Sequence, residues 1–241
     1  MRASKLPFLF GLTLAFGCGG GSEPPTEYPD AVAADPDHYT VEFENDAVRL
    51  LRIDYGPGET SVMHSHPPSC SIALGDAAWS MTDPDGNVTE DSAAFGEVEC
   101  VEAGVHLPEI SSGAPAELLL VELKEGATAG TAPGAEEPEA VTADPDHYSV
   151  VFENDAVRLL RIDYGPGETS VMHSHPASCA IFLGDQAVTF ELPGGEVEDA
   201  PAGGVGVVNC VDAGVHRPTN TGTGDLQVVL VEFKGRATVQ G

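Results

Sequence analysis

Positive charge is what this sequence has least of. Lys and Arg number 10 against 39 Asp and Glu in 241 residues, a formal net charge of −29. Such a field repels nucleic-acid phosphates and anionic lipid headgroups, which excludes a nucleic-acid partner and attachment to a membrane by surface charge. A solvated acidic exterior accounts for the imbalance. Long apolar runs are scarce as well. Past Phe16 no stretch approaches the roughly 20 residues that a membrane-spanning helix needs. No sustained apolar stripe of helical period occurs, which argues against a helical bundle. Neither a phosphate-cradling glycine motif nor a Ser-His-Asp motif stands out, so the sequence does not point to either chemistry.

What is present begins with a targeting signal. Arg2 and Lys5 precede an apolar run from Leu6 to Phe16, which ends near Cys18 and Gly19-Gly20-Gly21-Ser22. This resembles a bacterial lipoprotein signal. The resemblance implies lipidation of Cys18, export, and a membrane location through acyl chains alone. An ordinary secretory signal cleaved nearby is the alternative. Residues 19–34, rich in Gly, Pro, Glu and Ser, read as a flexible tether.

The remainder says one phrase twice. RLLRIDYGPGETSVMHSHP runs from Arg49 to Pro67 and again, unchanged, from Arg158 to Pro176. Residues 35–76 match 144–185 except at 40, 42, 68, 71 and 73. Downstream the copies diverge, and the second gains one residue near Gly203-Gly204. A period this long is a domain duplication. The expected domains are 35–124 and 144–238, joined by a Gly, Ala, Pro and Glu-rich linker over 125–143. Setting Cys18 aside, Cys70 and Cys100 in copy one match Cys179 and Cys210 in copy two. In an oxidising compartment an even, spaced set reads as disulfides before reactive thiols.

Each copy reads as short strands between turns. Val48 to Tyr55 is apolar and stops at Gly56-Pro57-Gly58, and Thr60 to His66 alternates. Asp83-Pro84-Asp85-Gly86 and Leu192-Pro193-Gly194-Gly195 have hairpin chemistry. Glu117 to Leu123 and Leu226 to Phe233 look like closing strands. The pattern predicts an all-β sandwich or barrel in each copy. Strand parity puts Val62, His64 and His66 on one face, so two imidazoles about 7 Å apart along the backbone can close on one metal ion.

Each copy also resembles a cupin, a small β jelly roll. Gly58, His64 and His66, with Gly167, His173 and His175, carry the first motif of that family. Gly104-Val105-His106 and Gly214-Val215-His216 occupy the place of the second, with Asn220 trailing His216 where Ile110 trails His106. The resemblance implies two tandem cupin-type barrels. Each would bind one divalent transition metal (Fe, Mn, Zn or Ni), through His64, His66 and His106 in one and His173, His175 and His216 in the other. The sequence departs from the family at Cys70 and Cys179, which stand where a glutamate ligand is usual. Either the thiol lies near the metal, or, as the topology of the family implies, Cys70 pairs with Cys100 and Cys179 with Cys210. The disulfide reading is favoured. His38 and His147 read as hydrogen-bonded structural residues, and Glu59, Glu168, Tyr55 and Tyr164 as groups that could line the mouth.

The family further implies that the two barrels pair within one chain and act on, or capture, a small molecule. Oxygenase or isomerase chemistry is one expectation and non-catalytic binding of a small ligand or metal the other. Imidazole ligands must be unprotonated, so metal is expected to leave as the pH falls below about 6.5.

Overall fold

A strand flanked by apolar neighbours on both faces has no need of polar alternation, and the long strands of this chain are of that kind. A computed structural model describes residues 28–131, 134, 136–185, 187–201 and 203–240. The signal segment, Cys18 and residues 19–27 lie outside the described residues. Among the described residues no helix is long and apolar enough to cross a membrane.

Copy one comprises α1 (Ala31–Ala34), β1 (Tyr39–Glu44), β2 (Val48–Tyr55), β3 (His64–His66), β4 (Ser69–Ala73), β5 (Ala77–Thr82), β6 (Val88–Ala93), β7 (Val98–Val101), β8 (Gly104–Ile110) and β9 (Ala116–Leu123). Copy two repeats the series as α2 (Ala140–Ala143), β10 (Tyr148–Glu153), β11 (Val157–Tyr164), β12 (His173–His175), β13 (Ser178–Phe182), β14 (Val188–Glu191), β15 (Val197–Asp199), β16 (Val208–Val211), β17 (Gly214–Asn220) and β18 (Leu226–Phe233). Each copy folds into a five-stranded sheet, ordered β1-β2-β9-β4-β7, facing a four-stranded sheet, ordered β3-β8-β5-β6. The equivalents in copy two are β10-β11-β18-β13-β16 and β12-β17-β14-β15. This is the expected all-β, two-barrel architecture.

Side-chain parity in the larger sheet decides everything that follows. On β2, Leu51, Ile53 and Tyr55 point into the barrel, where they meet Leu118 and Leu120 of β9 and Trp79 of β5. Val48 and Leu50 point the other way, with Ile72, Leu119 and Val121. That outer face is also buried, because it shares one apolar cluster with Val157, Leu159, Ile181, Val229, Val231 and Phe233 of copy two. Phe43 stacks on Phe233 across the junction, with centroids 5.7 Å apart. Arg52 Nη2 donates to the Gly206 carbonyl (2.6 Å), and Arg161 Nη1 donates to the Gly96 carbonyl (2.9 Å). These reciprocal contacts make the junction pseudo-symmetric. Gly96 and Gly206 hold φ of 75° and 78°, and a Cβ at Gly206 would sit 2.8 Å from Leu74 Cδ1. Glycine is required there for both conformation and clearance.

Two boundaries differ from expectation. Residues 28–34, read above as the end of the tether, belong to the first barrel. Ser65 N–H donates to the Pro29 carbonyl (2.9 Å), Asp30 caps α1, and Ala31 is fully buried. A single buried alanine leaves little trace in composition, which is why the stretch looked featureless. The linker is similarly engaged: Gly130 N–H donates to the Lys234 carbonyl (2.8 Å), and α2 opens the second barrel.

Candidate metal centre

The imidazoles come from two neighbouring strands. β3 and β8 pair antiparallel with His64 opposite His106 and His66 opposite Gly104. The alternation of β3 turns both its rings inward beside His106. His64 Nε2 lies 3.0 Å from His66 Nε2, and the ligand atoms of His64, His66 and His106 all fall within 4.8 Å of one another. In copy two His173 Nε2 and His175 Nε2 are 3.1 Å apart, and His216 completes the group. His64 and His173 are fully buried, while His66 and His175 are nearly so.

One detail of β3 differs from the parity argument. Val62 is half exposed, because the strand begins only at His64 and not at Thr60. The Val62 backbone turns so that its carbonyl accepts a hydrogen bond from His64 Nδ1 at 2.7 Å. A carbonyl can only accept, so the proton on that ring sits on Nδ1 and leaves Nε2 a lone pair.

His66 is oriented by a residue that the sequence reading missed. Glu122 on β9 is 1% exposed and takes His66 Nδ1–H at 2.7 Å. Its other oxygen accepts from Arg49 Nε at 2.6 Å, and Arg49 also pairs with Asp30. Arg49 and Glu122 are direct cross-strand partners of β2 and β9, both on the inner face. Copy two repeats the chain: Glu232 takes His175 Nδ1–H at 2.7 Å and Arg158 Nε at 2.7 Å, and Arg158 pairs with Glu139 at 3.0 Å. A buried carboxylate needs this double pairing to offset its desolvation. The one trace in the sequence is that a glutamate recurs at the same place in the closing strand of both copies, Glu122 and Glu232.

The ring nitrogens of each trio therefore converge on a common point. His106 is held down at about 3, first by burial and then by the charges that His66 and His64 would carry. His216 is held at about 3 for the same reasons, and His173 at about 4 by burial and then His175. Burial lowers His64 as well. His64 Nε2 and His66 Nε2 approach to 3.0 Å while Nδ1 of each ring is engaged elsewhere, an arrangement that suits two nitrogens sharing one cation. The residues fit a divalent transition ion.

The other predicted residues fall elsewhere. Cys70–Cys100 and Cys179–Cys210 are disulfides, bonding register partners of β4 with β7 and β13 with β16. Cys70 shares the outer face with Ile72, so parity turns its sulfur away from the imidazoles. His38 Nδ1 bonds Asp35 (2.7 Å), its Nε2 faces Glu59 (3.2 Å), and its ring stacks on Tyr55. Tyr55 donates to Asp35. His147, Glu168, Tyr164 and Asp144 repeat this cluster. Asn220 is structural: its Nδ2 donates to the carbonyls of Tyr164, Gly165 and Gly224. Phe190 stacks on His216 with centroids 4.7 Å apart, and Met81 holds the equivalent strand position in copy one.

No protein-family model matches the chain, and no curated protein does. Solved structures do. Oxalate decarboxylase from Bacillus subtilis, a protein with Mn(II) centres, aligns over 83% of this chain and 76% of its own, at 13% identity and a TM-score of 0.50. A cupin 2 conserved barrel domain protein from Leptotrichia buccalis aligns over 81% and 88%, at 11% identity and a TM-score of 0.51. The likeness is one of fold. With two equivalent pairs of sheets and an inward trio of histidines in each, the chain has the fold of two cupin-type barrels in tandem.

Proposed function

We propose that each barrel binds one divalent transition metal through its three imidazoles and presents the remaining coordination positions to a small molecule. The observation that carries this is the 3.0 Å approach of His64 Nε2 to His66 Nε2 while both Nδ1 atoms are committed, to a carbonyl and to Glu122. Fe, Mn, Zn and Ni all accept imidazole. Arg49 and Glu122 hold His66 in place, as Arg158 and Glu232 hold His175. Such outer partners fix ring orientation and raise ligand basicity. A cleft of about 680 Å³ borders His175, Ser174, Arg158 and Lys234 and gives a small ligand room beside the second barrel. The two disulfides suit an exported protein, and lipidation at Cys18 would tether the pair of barrels to a membrane.

The test is elemental analysis of protein purified without chelator or polyhistidine tag, beside a free-thiol count. The reading expects two metal ions per chain and no free thiol among Cys70, Cys100, Cys179 and Cys210. Substoichiometric metal after replenishment would defeat it. The second reading is catalysis, with oxygenase or isomerase chemistry at the open positions. Oxygen uptake or product formation with candidate small molecules separates catalysis from capture.

A further inference from the structure

Each barrel places one more donor atom beside its imidazoles. The Tyr39 hydroxyl lies 3.0 Å from His64 Nε2, and the Tyr148 hydroxyl lies 3.0 Å from His173 Nε2. That nitrogen is the one left free on each ring, because Nδ1 donates to the Val62 or Val171 carbonyl. The phenol oxygen therefore stands on the metal's side of the ring. It is as far from His64 Nε2 as His66 Nε2 is (3.0 Å). Both tyrosines are 3% exposed. A buried hydroxyl whose partner is a nitrogen that a metal would claim must find a new partner when the metal arrives.

The two side chains that could compete for that place face elsewhere. Cys70, at the position of the family's carboxylate ligand, is bonded to Cys100 on the outer face. Glu122 faces Nδ1 of His66, on the opposite side of that ring. Packing fixes the tyrosine ring, which lies edge-on against His64 with centroids 5.0 Å apart and against Tyr55 at 6.1 Å. β1 thus carries a donor into the site from a third strand.

We propose that Tyr39 and Tyr148 supply, through Oη, the fourth protein donor of their metal sites, giving a set of three nitrogens and one phenol oxygen. The inference rests on the metal-binding reading above and deepens it. Were a ferric ion loaded as a probe in place of the divalent ion, the metal–oxygen bond would replace the O–H bond and one proton per site would pass to solvent. No electron is transferred and no co-reactant is needed.

The full chain, loaded with Fe(III), tests this. The wild type should hold two iron ions per chain and show a visible phenolate-to-iron charge-transfer band, with phenolate ring modes in resonance Raman spectra excited within it. Tyr39→Phe and Tyr148→Phe should each remove about half of the band while iron stays countable, and the double variant should lose it. Phenylalanine keeps the ring packing, and retention of the wild-type melting profile checks the fold. Two bound irons with no phenolate modes, or modes that survive in the double variant, would overturn the proposal. Failure of the wild type to bind iron, manganese or zinc would overturn the metal site itself, and the inference with it.

Discussion

Acidification should destabilise the metal-free protein, and the buried imidazoles set how steeply. His106 is held at about 3 against an ordinary 6.5, by burial first and then by the charges of His66 and His64. A histidine whose pKa is lower in the folded protein takes up its proton more readily in the unfolded chain. Its stabilising contribution is fully present above about 6.5 and drains away as the pH falls towards the folded value. For His106, going from about pH 7 to about pH 4.5 costs on the order of 2–3 kcal/mol. His216 and His173 add losses of the same sign. His38 and His147 act in the opposite sense. Burial pulls them down, but hydrogen bonding and charge from Asp35 and Glu59, or Asp144 and Glu168, more than offset it and raise them. Their contribution is fully present below about 6.5 and is lost as the pH rises through the raised value. The whole-protein slope is a sum of both kinds, so the informative quantity is a difference. Urea unfolding in chelator, with disulfides intact, should show His106→Gln losing on the order of 2–3 kcal/mol less than wild type over that interval. Equal losses in the two proteins would refute the burial argument.

Other consequences follow from the same contacts. Glu122→Gln or Glu232→Gln should weaken metal binding at the matching site by about 10–100-fold, measured by chelator competition, because the carboxylate between arginine and imidazole fixes the ring. Replacing Cys70 and Cys100 together by alanine opens a loop spanning 30 residues and should cost about 3–4 kcal/mol of stability by denaturant midpoint. Phe233→Ala removes a fully buried ring stacked on Phe43 across the two copies and should cost about 3–5 kcal/mol in the same assay. Metal retention followed by dialysis and elemental analysis should persist below about pH 6.5, since the free rings resist protonation.

The histidine trios were legible because they rest on two local rules. Period-two alternation puts His64 and His66 together, and the repeated phrase marks the same pair in copy two. The third ring and the cysteine pairings needed strand order, which the family resemblance supplied. Glu122 escaped notice because nothing local says that it faces inward. Only the register of β2 against β9, with Arg49 opposite Glu122, turns an ordinary glutamate into a buried partner. Tyr39 escaped for a related reason: its hydroxyl reaches His64 from a strand 25 residues away, a contact that no local pattern marks. Parity overreached at Val62 because it cannot see a backbone carbonyl being diverted to a ring nitrogen.

The salt-bridged chains behind His66 and His175 tie each centre to whatever lies upstream of its barrel. Asp30 reaches His66 through Arg49 and Glu122, and Glu139 reaches His175 through Arg158 and Glu232. Tension on the leading segment, or a proteolytic cut that trims it, would therefore be felt at an imidazole and not absorbed by slack. The stretch that joins the copies carries the same burden, so lengthening or swapping it near Glu139 would retune the second centre while sparing the first.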